Sequence, residues 1–190
     1  MKKRVFVVHW WWGLPSDEWF VRLKNTLEKN GFEVSLLEMP DTDAPKIDKR
    51  VNFLNDSIPY LDENTFFVWH SIWCQTIFRY LQSSSQVKKI WWIACVAWWF
   101  DLIPDSYDEV EVAQPWLNTF DWFDAVKKYT NNIFWIFSDD DYYVSLENEK
   151  IFREKLDAKT IIEHGKWHYD SNLDWVKTIP VLLNWFKDLS

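Results

Sequence analysis

The chain has 190 residues, enough to bury one hydrophobic core and too few for several, so a single domain over residues 1–190 is expected. Its 29 acidic and 21 basic side chains leave a formal charge of −8, which repels phosphate backbones and argues against a nucleic-acid partner. No run approaches the roughly 18 uncharged apolar residues of a membrane helix, and two cysteines in apolar stretches, Cys74 and Cys95, give no disulfide framework, so a reducing, cytoplasmic setting is expected.

The start, MKKRVFVVHWWW, has the outline of a signal peptide. Its apolar run is short, His9 interrupts it and no small-residue cleavage site follows, so RVFVVHW (4–10) is read as a buried strand. SDEWFVRLKNTLEKNG (16–31) predicts a helix capped by Ser16, with Trp19, Leu23 and Leu27 on one face and Gly31 as its stop. A second strand follows at 32–39. A helix at about 46–58 carries Ile47, Val51, Leu54 and Ile58 at helical spacing. TFFVW (65–69) is a third strand and IWCQTIFRYLQ (72–82) a helix. KKIWWIACVAW (88–98) is apolar throughout, as a central parallel strand covered on both faces must be.

Residues 99–120 contain Pro104 and Pro115 and read as a loop or lid. A short helix at 121–130, a strand at 131–138, a helix at 145–157 capped by Ser145 and a strand at 158–165 come next. The closing helix, 173–189, contains Pro180, which should kink or split it. Alternating strands and helices predict a three-layer α/β sandwich, a six-stranded, mostly parallel sheet with helices on both faces. Such sheets bind ligands at the carboxyl ends of their strands. There stand His9, then His70-Ser71, then Asp139 to Asp141, and finally His164 to His168.

A serine hydroxyl becomes nucleophilic when an imidazole takes its proton and a carboxylate orients that imidazole. Ser71, the aspartate run and His168 occur in the chain order Ser, Asp, His found in the α/β-hydrolase arrangement, each at a strand end. Taken singly, each has a plainer reading. Ser71 could cap the next helix, and two of the three aspartates could form a solvated turn. The aspartates lack the alternating ligands and central glycine of a calcium loop. His164 and His168 have zinc-ligand spacing, but Gly165 lies between them and no third ligand is evident. His70 reads as a packed or hydrogen-bonded neighbour and Cys74 as a small core residue.

Motifs along nearly the whole chain resemble those of the YdeN-like family of small serine hydrolases, which includes retinoblastoma-binding protein 9. They are His9-Trp10, Trp19-Phe20, Met39-Pro40, Trp69-His70-Ser71-Ile72-Trp73-Cys74, Asp140-Asp141-Tyr142-Tyr143-Val144 and His164-Gly165-Lys166-Trp167-His168-Tyr169. The resemblance implies a compact α/β-hydrolase with Ser71 as nucleophile, Asp141 as orienting acid and His168 as base. It implies an oxyanion hole from the backbone N–H of Ile72 and one from the loop after His9, at Trp11. The implied substrate is a small ester, amide or thioester, with no cofactor or metal. A binding protein that keeps the fold without turnover is the alternative, with the aromatic rim as its surface.

The sequence departs from that family in one consistent way. Trp10, Trp69, Trp73 and Trp167 stand where the family has glycine, and Trp91-Trp92 and Trp98-Trp99 where at least one glycine is expected. The chain holds 16 Trp and 3 Gly, against roughly 13 Gly at average usage. Indoles on both sides of a nucleophilic serine should overpack the turn, at about 1–3 kcal/mol for each insertion, and a tryptophan forced into a left-handed conformation adds backbone strain. Reading UGA glycine codons as tryptophan produces this pattern and spares Gly13, Gly31 and Gly165; deliberate engineering is the other source.

Overall fold

A computed structural model describes residues 2–9, 13–84, 89–99, 101–104, 110–117, 123–169 and 180–186. Six strands form one wholly parallel sheet: β1 (Arg4–Val8), β2 (Glu33–Leu37), β3 (Thr65–His70), β4 (Trp92–Val96), β5 (Ile133–Ser138) and β6 (Lys159–Glu163). Their spatial order is β2-β1-β3-β4-β5-β6. The chain therefore reverses its direction of build between β1 and β3, and that crevice is where a sheet of this kind presents its site. The two central strands, β3 and β4, are buried at every residue. Their unbroken apolar runs follow from being covered on both faces.

Helices α1 (Glu18–Lys29), α2 (Ile47–Ser57), α3 (Trp73–Ser83), α4 (Val110–Leu117), α5 (Phe123–Tyr129) and α6 (Glu147–Leu156) connect the strands. Two separate cores result. On one face, Trp19, Phe20, Leu23 and Leu27 of α1, with Leu182 and Phe186 of a helical stretch at 180–186, cover Val5, Val7, Phe66 and Val68. On the other, α2 to α6 cover Phe6, Val8, Phe67 and Cys95. Gly31, with φ +88°, ends α1; its N–H reaches Glu28 O at 3.0 Å, a backbone turn that a side chain would strain.

Several expectations need correction. The N-cap of α1 is Asp17 rather than Ser16, and Asp17 uses Oδ2 to accept the N–H of Leu14. Of the predicted α2 face, Leu54 and Ile58 are buried and Ile47 packs partly against the core, but Val51 lies half exposed and Arg50 is buried beside them. Arg50 can occupy the inner face because its guanidinium lies 3.3 Å from the centre of the Trp73 ring and its Nη2–H donates to Asp41 O at 2.7 Å. Residues 110–117, expected to be irregular, form α4 despite Pro115. Burial of Ala113 and Trp116 outweighs the one helical hydrogen bond that proline removes. Ser145 lies outside α6, whose N-cap is Leu146, yet its Oγ accepts the N–H of Glu147 at 3.2 Å. Of the predicted closing helix, 180–186 is helical, while 173–179, and with them the expected kink or split at Pro180, lie outside the described residues.

Candidate active site

Strand β3 runs straight into Ser71, whose φ of +53° is the left-handed backbone of a sharp strand-to-helix turn. The N–H of Ser71 is anchored to Val96 O at 2.9 Å, and its own carbonyl accepts from Cys74 as α3 begins. The hydroxyl is thereby held up at the carboxyl edge of the sheet. Ser71 Oγ lies 2.9 Å from Nε2 of His168, and Nδ1 of the same ring lies 2.9 Å from Oδ2 of Asp141. The three are nearly enclosed, with 6, 8 and 9 % of their surfaces exposed. Low exposure strengthens each hydrogen bond by excluding water.

Asp141 is itself fixed. Its Oδ1 accepts the backbone N–H groups of Tyr143 and Val144, both at 2.9 Å. The second oxygen is thus left for His168, whose Nδ1 must carry the proton to donate to it. Nε2 then bears the lone pair and accepts from the Ser71 hydroxyl, the polarity needed to withdraw its proton. The backbone N–H of Ile72, at the N-cap of α3, makes no hydrogen bond among the described residues. It is available to a developing oxyanion. Trp11, expected to give the second N–H, lies outside the described residues, as does Trp10.

The other two aspartates are more than a solvated turn. Asp140 Oδ1 accepts the Ser138 hydroxyl at 2.6 Å and the N–H groups of Lys166 and Trp167 at 3.0 and 2.9 Å. Asp139 accepts the Gly165 N–H at 3.1 Å and bonds His164 Nδ1 at 2.6 Å. The Ser138 hydroxyl holds Asp140 below the ordinary carboxylate range, and His164 does the same for Asp139. In return, Asp139 raises the pKa of His164. All three aspartates therefore grip the segment that delivers His168. Sequence reasoning missed these roles of Asp139, Asp140 and Ser138. The available signal was a run of acceptors at the end of one strand and a short polar loop after its neighbour.

His9 is buried beyond β1, and its Nε2 accepts the Met39 N–H at 3.2 Å, tying the ends of β1 and β2 together. His164 is engaged by Asp139 through its Nδ1. Cys74 and Cys95 are buried free thiols, and burial, reinforced by Cys74, pushes the Cys95 thiol up. Tyr143 packs edge-on to the His168 ring at 5.1 Å, and Tyr142 stands 6.5 Å from it with 42 % of its surface exposed. They form an aromatic rim beside the imidazole.

Of the tryptophans at expected glycine positions, Trp69 and Trp73 are wholly buried with ordinary backbone angles, and the serine turn forms between them. Trp167 does sit at a left-handed φ, +49°, with 58 % of its surface exposed. Strain of the expected kind is therefore confined to Trp167 among those described. What Trp69 and Trp73 forfeit is polar satisfaction: neither indole N–H has a hydrogen-bond partner among the described residues.

Sheet, connections and the placement of the serine turn define an α/β-hydrolase. The chain belongs to the serine hydrolase family, whose model matches residues 5–184. Within it the chain is YdeN-like. It is 26 % identical over 166 residues to YdeN of Bacillus subtilis (strain 168), covering 87 % of this chain and 85 % of that one. The crystal structure of the B. subtilis ydeN product superposes with a TM-score of 0.85 at 22 % identity, over 98 % of this chain and all 100 % of the other. A carboxylesterase structure from the thaumarchaeon Nitrososphaera gargenis aligns with a TM-score of 0.73 at 12 % identity, covering 99 % and 91 % of the two chains. A monoacylglycerol lipase from Paleococcus ferrophilus aligns at 0.70 and 13 % identity, covering 100 % and 96 %. No helix among the described residues is long and apolar enough to cross a membrane.

Proposed function

We propose that the chain cleaves a small acyl substrate, an ester, amide or thioester, by a two-step acyl-enzyme route. The observation that carries this reading is the pair of 2.9 Å contacts linking Ser71, His168 and Asp141, three residues far apart in sequence. Ser71 Oγ attacks the carbonyl carbon while His168 Nε2 takes its proton. The negative oxygen that forms is held by the Ile72 N–H, with a second N–H from the loop after His9. The imidazolium, steadied by Asp141, gives its proton to the departing alcohol, amine or thiol. Water then adds to the acyl group, passing a proton to His168. Collapse of that adduct releases the acid and returns the proton to Ser71.

Carboxylic esters head the list, because the similar carboxylesterase and monoacylglycerol lipase are named for that bond, and their likeness extends over almost the whole chain. None of these steps calls on a metal or cofactor. The test is labelling with a fluorophosphonate probe together with turnover of p-nitrophenyl acetate. Labelling at Ser71 and turnover, both lost in Ser71→Ala, support the reading. A folded protein with neither would leave the fold as a binding scaffold.

A further inference from the structure

Beside the nucleophile lies a second imidazole that the acyl-transfer steps do not use. His70 is completely buried at the last position of β3. Its Nε2 is 2.8 Å from the backbone carbonyl oxygen of His168, and the two imidazole rings meet edge-on, 5.0 Å apart at 63°. A carbonyl only accepts, so Nε2 of His70 must carry the proton and donate. Consecutive residues of one strand end thus grip the same residue: His70 holds the main chain of His168, and Ser71 meets its ring.

We propose that His70 is a positioning residue for the base, setting through the His168 carbonyl how closely the His168 imidazole approaches Ser71. This inference rests on the hydrolytic reading above. The segment around His168 depends on ties from outside as well as on its own Tyr169 N–H to Lys166 O bond at 3.0 Å, because Trp167 and Tyr169 on either side are both left-handed, with φ of +49° and +57°. Residues in such conformations persist only where their surroundings over-determine them. Asp140 fixes the N–H groups of 166 and 167 from the end of β5, and the Tyr169 hydroxyl donates to Phe137 O at 3.0 Å, also on β5. Those anchors place the loop relative to Asp141. His70 supplies the tie to β3, the strand that presents Ser71, with β4 lying between β3 and β5. Burial also drives the His70 pKa well below its ordinary 6.5, so the ring stays neutral and its donor stays in place across the working range.

The experiment compares His70→Phe, which keeps a ring but no donor, with His70→Gln, whose amide N–H can donate from a similar depth. On p-nitrophenyl acetate, His70→Phe should lower kcat by about 10–100-fold, the cost of a displaced reacting group, with KM within about twofold. His70→Gln should recover to within about fivefold of the parent. Nitrogen NMR of the parent should show His70 as the neutral Nε2–H tautomer, without titration between about pH 5 and 8. Full kcat in folded His70→Phe, equal loss in both folded variants, or an Nδ1–H or titrating His70 would each overturn the proposal. A parent that shows the Nε2–H tautomer but takes no fluorophosphonate label would uphold the bond and count against the hydrolytic reading alone. The tautomer decides for the bond even if both variants fail to fold.

Discussion

The rim of the sheet and the core beneath it treat polar atoms in opposite ways. At the rim, both oxygens of Asp141, both nitrogens of His168, the hydroxyls of Ser138 and Tyr169 and the loop N–H groups at 165 to 167 all have partners. In the core, the indole N–H groups of Trp69, Trp73, Trp92, Trp116 and Trp135 have none among the described residues, nor do Nε and Nη1 of Arg50. Each unsatisfied buried donor costs about 1–3 kcal/mol, and a whole domain is stable by only about 5–15 kcal/mol. The rim has mutually matched groups, as expected where chemistry constrains each residue. The core has volume without matching polar partners, as expected if some indoles occupy places that a smaller residue was selected to fill.

The comparison breaks most sharply at Ser71. Ser71→Ala should lower kcat by a factor on the order of 10⁶ and abolish fluorophosphonate labelling, with no change in circular dichroism. Retained turnover would move the chemistry elsewhere. Asp141→Asn should cost about 10⁴ in kcat, because an amide can present its N–H to His168 and favour the wrong tautomer; a steady-state assay checks this.

The core half is tested by Trp69→Gly with Trp73→Gly. The double variant should unfold at a higher urea concentration than the parent, whereas truncating a native buried tryptophan costs about 3–5 kcal/mol. The gene gives an independent reading: UGA codons at 69, 73 and 167 are expected, and UGG there ends the idea. Asp140→Ala, which strands the N–H groups of residues 166 and 167, should lower kcat by about 10–100-fold through displacement of His168, with little change in KM.

The smallest effect concerns pH. Asp139 raises the pKa of His164 above 6.5, so the contact's contribution is complete below 6.5 and is lost as pH climbs through the raised value. Asp139 is itself held below 3.8 by His164, so on the acid side the contribution is lost only as pH falls through that lowered value. Hydrogen-exchange protection of the Gly165 amide should therefore weaken on the alkaline side. His164→Gln should remove that alkaline step while changing kcat by less than about twofold. An unchanged alkaline step in the variant would show that His164 does not control it.

Much of this site could be read along the chain. Ser71, the aspartate run and His168 are legible because each follows a strand, and strand ends share one edge of a parallel sheet; the choice of Asp141 within the run comes from the family resemblance. Trp19, Leu23 and Leu27 were legible as a buried face because they recur at i, i+4 and i+8, over about two helical turns. Arg50 was not, because its burial depends on the face of Trp73 and the carbonyl of Asp41, groups that no local pattern brings together. Nor was α4, whose helical state at Pro115 is decided by what Ala113 and Trp116 pack against.

The order of the six strands, of the helices other than α4 and of the polar strand ends is local information, carried by periodicity and by the few residue types that suit turns, and the sequence alone determined it. Which oxygen of which aspartate meets which N–H, and that His70 reaches a carbonyl 98 positions away, only the tertiary structure decided. Hydrogen bonds are set to within tenths of an ångström by strands that are neighbours in the sheet and strangers in the chain.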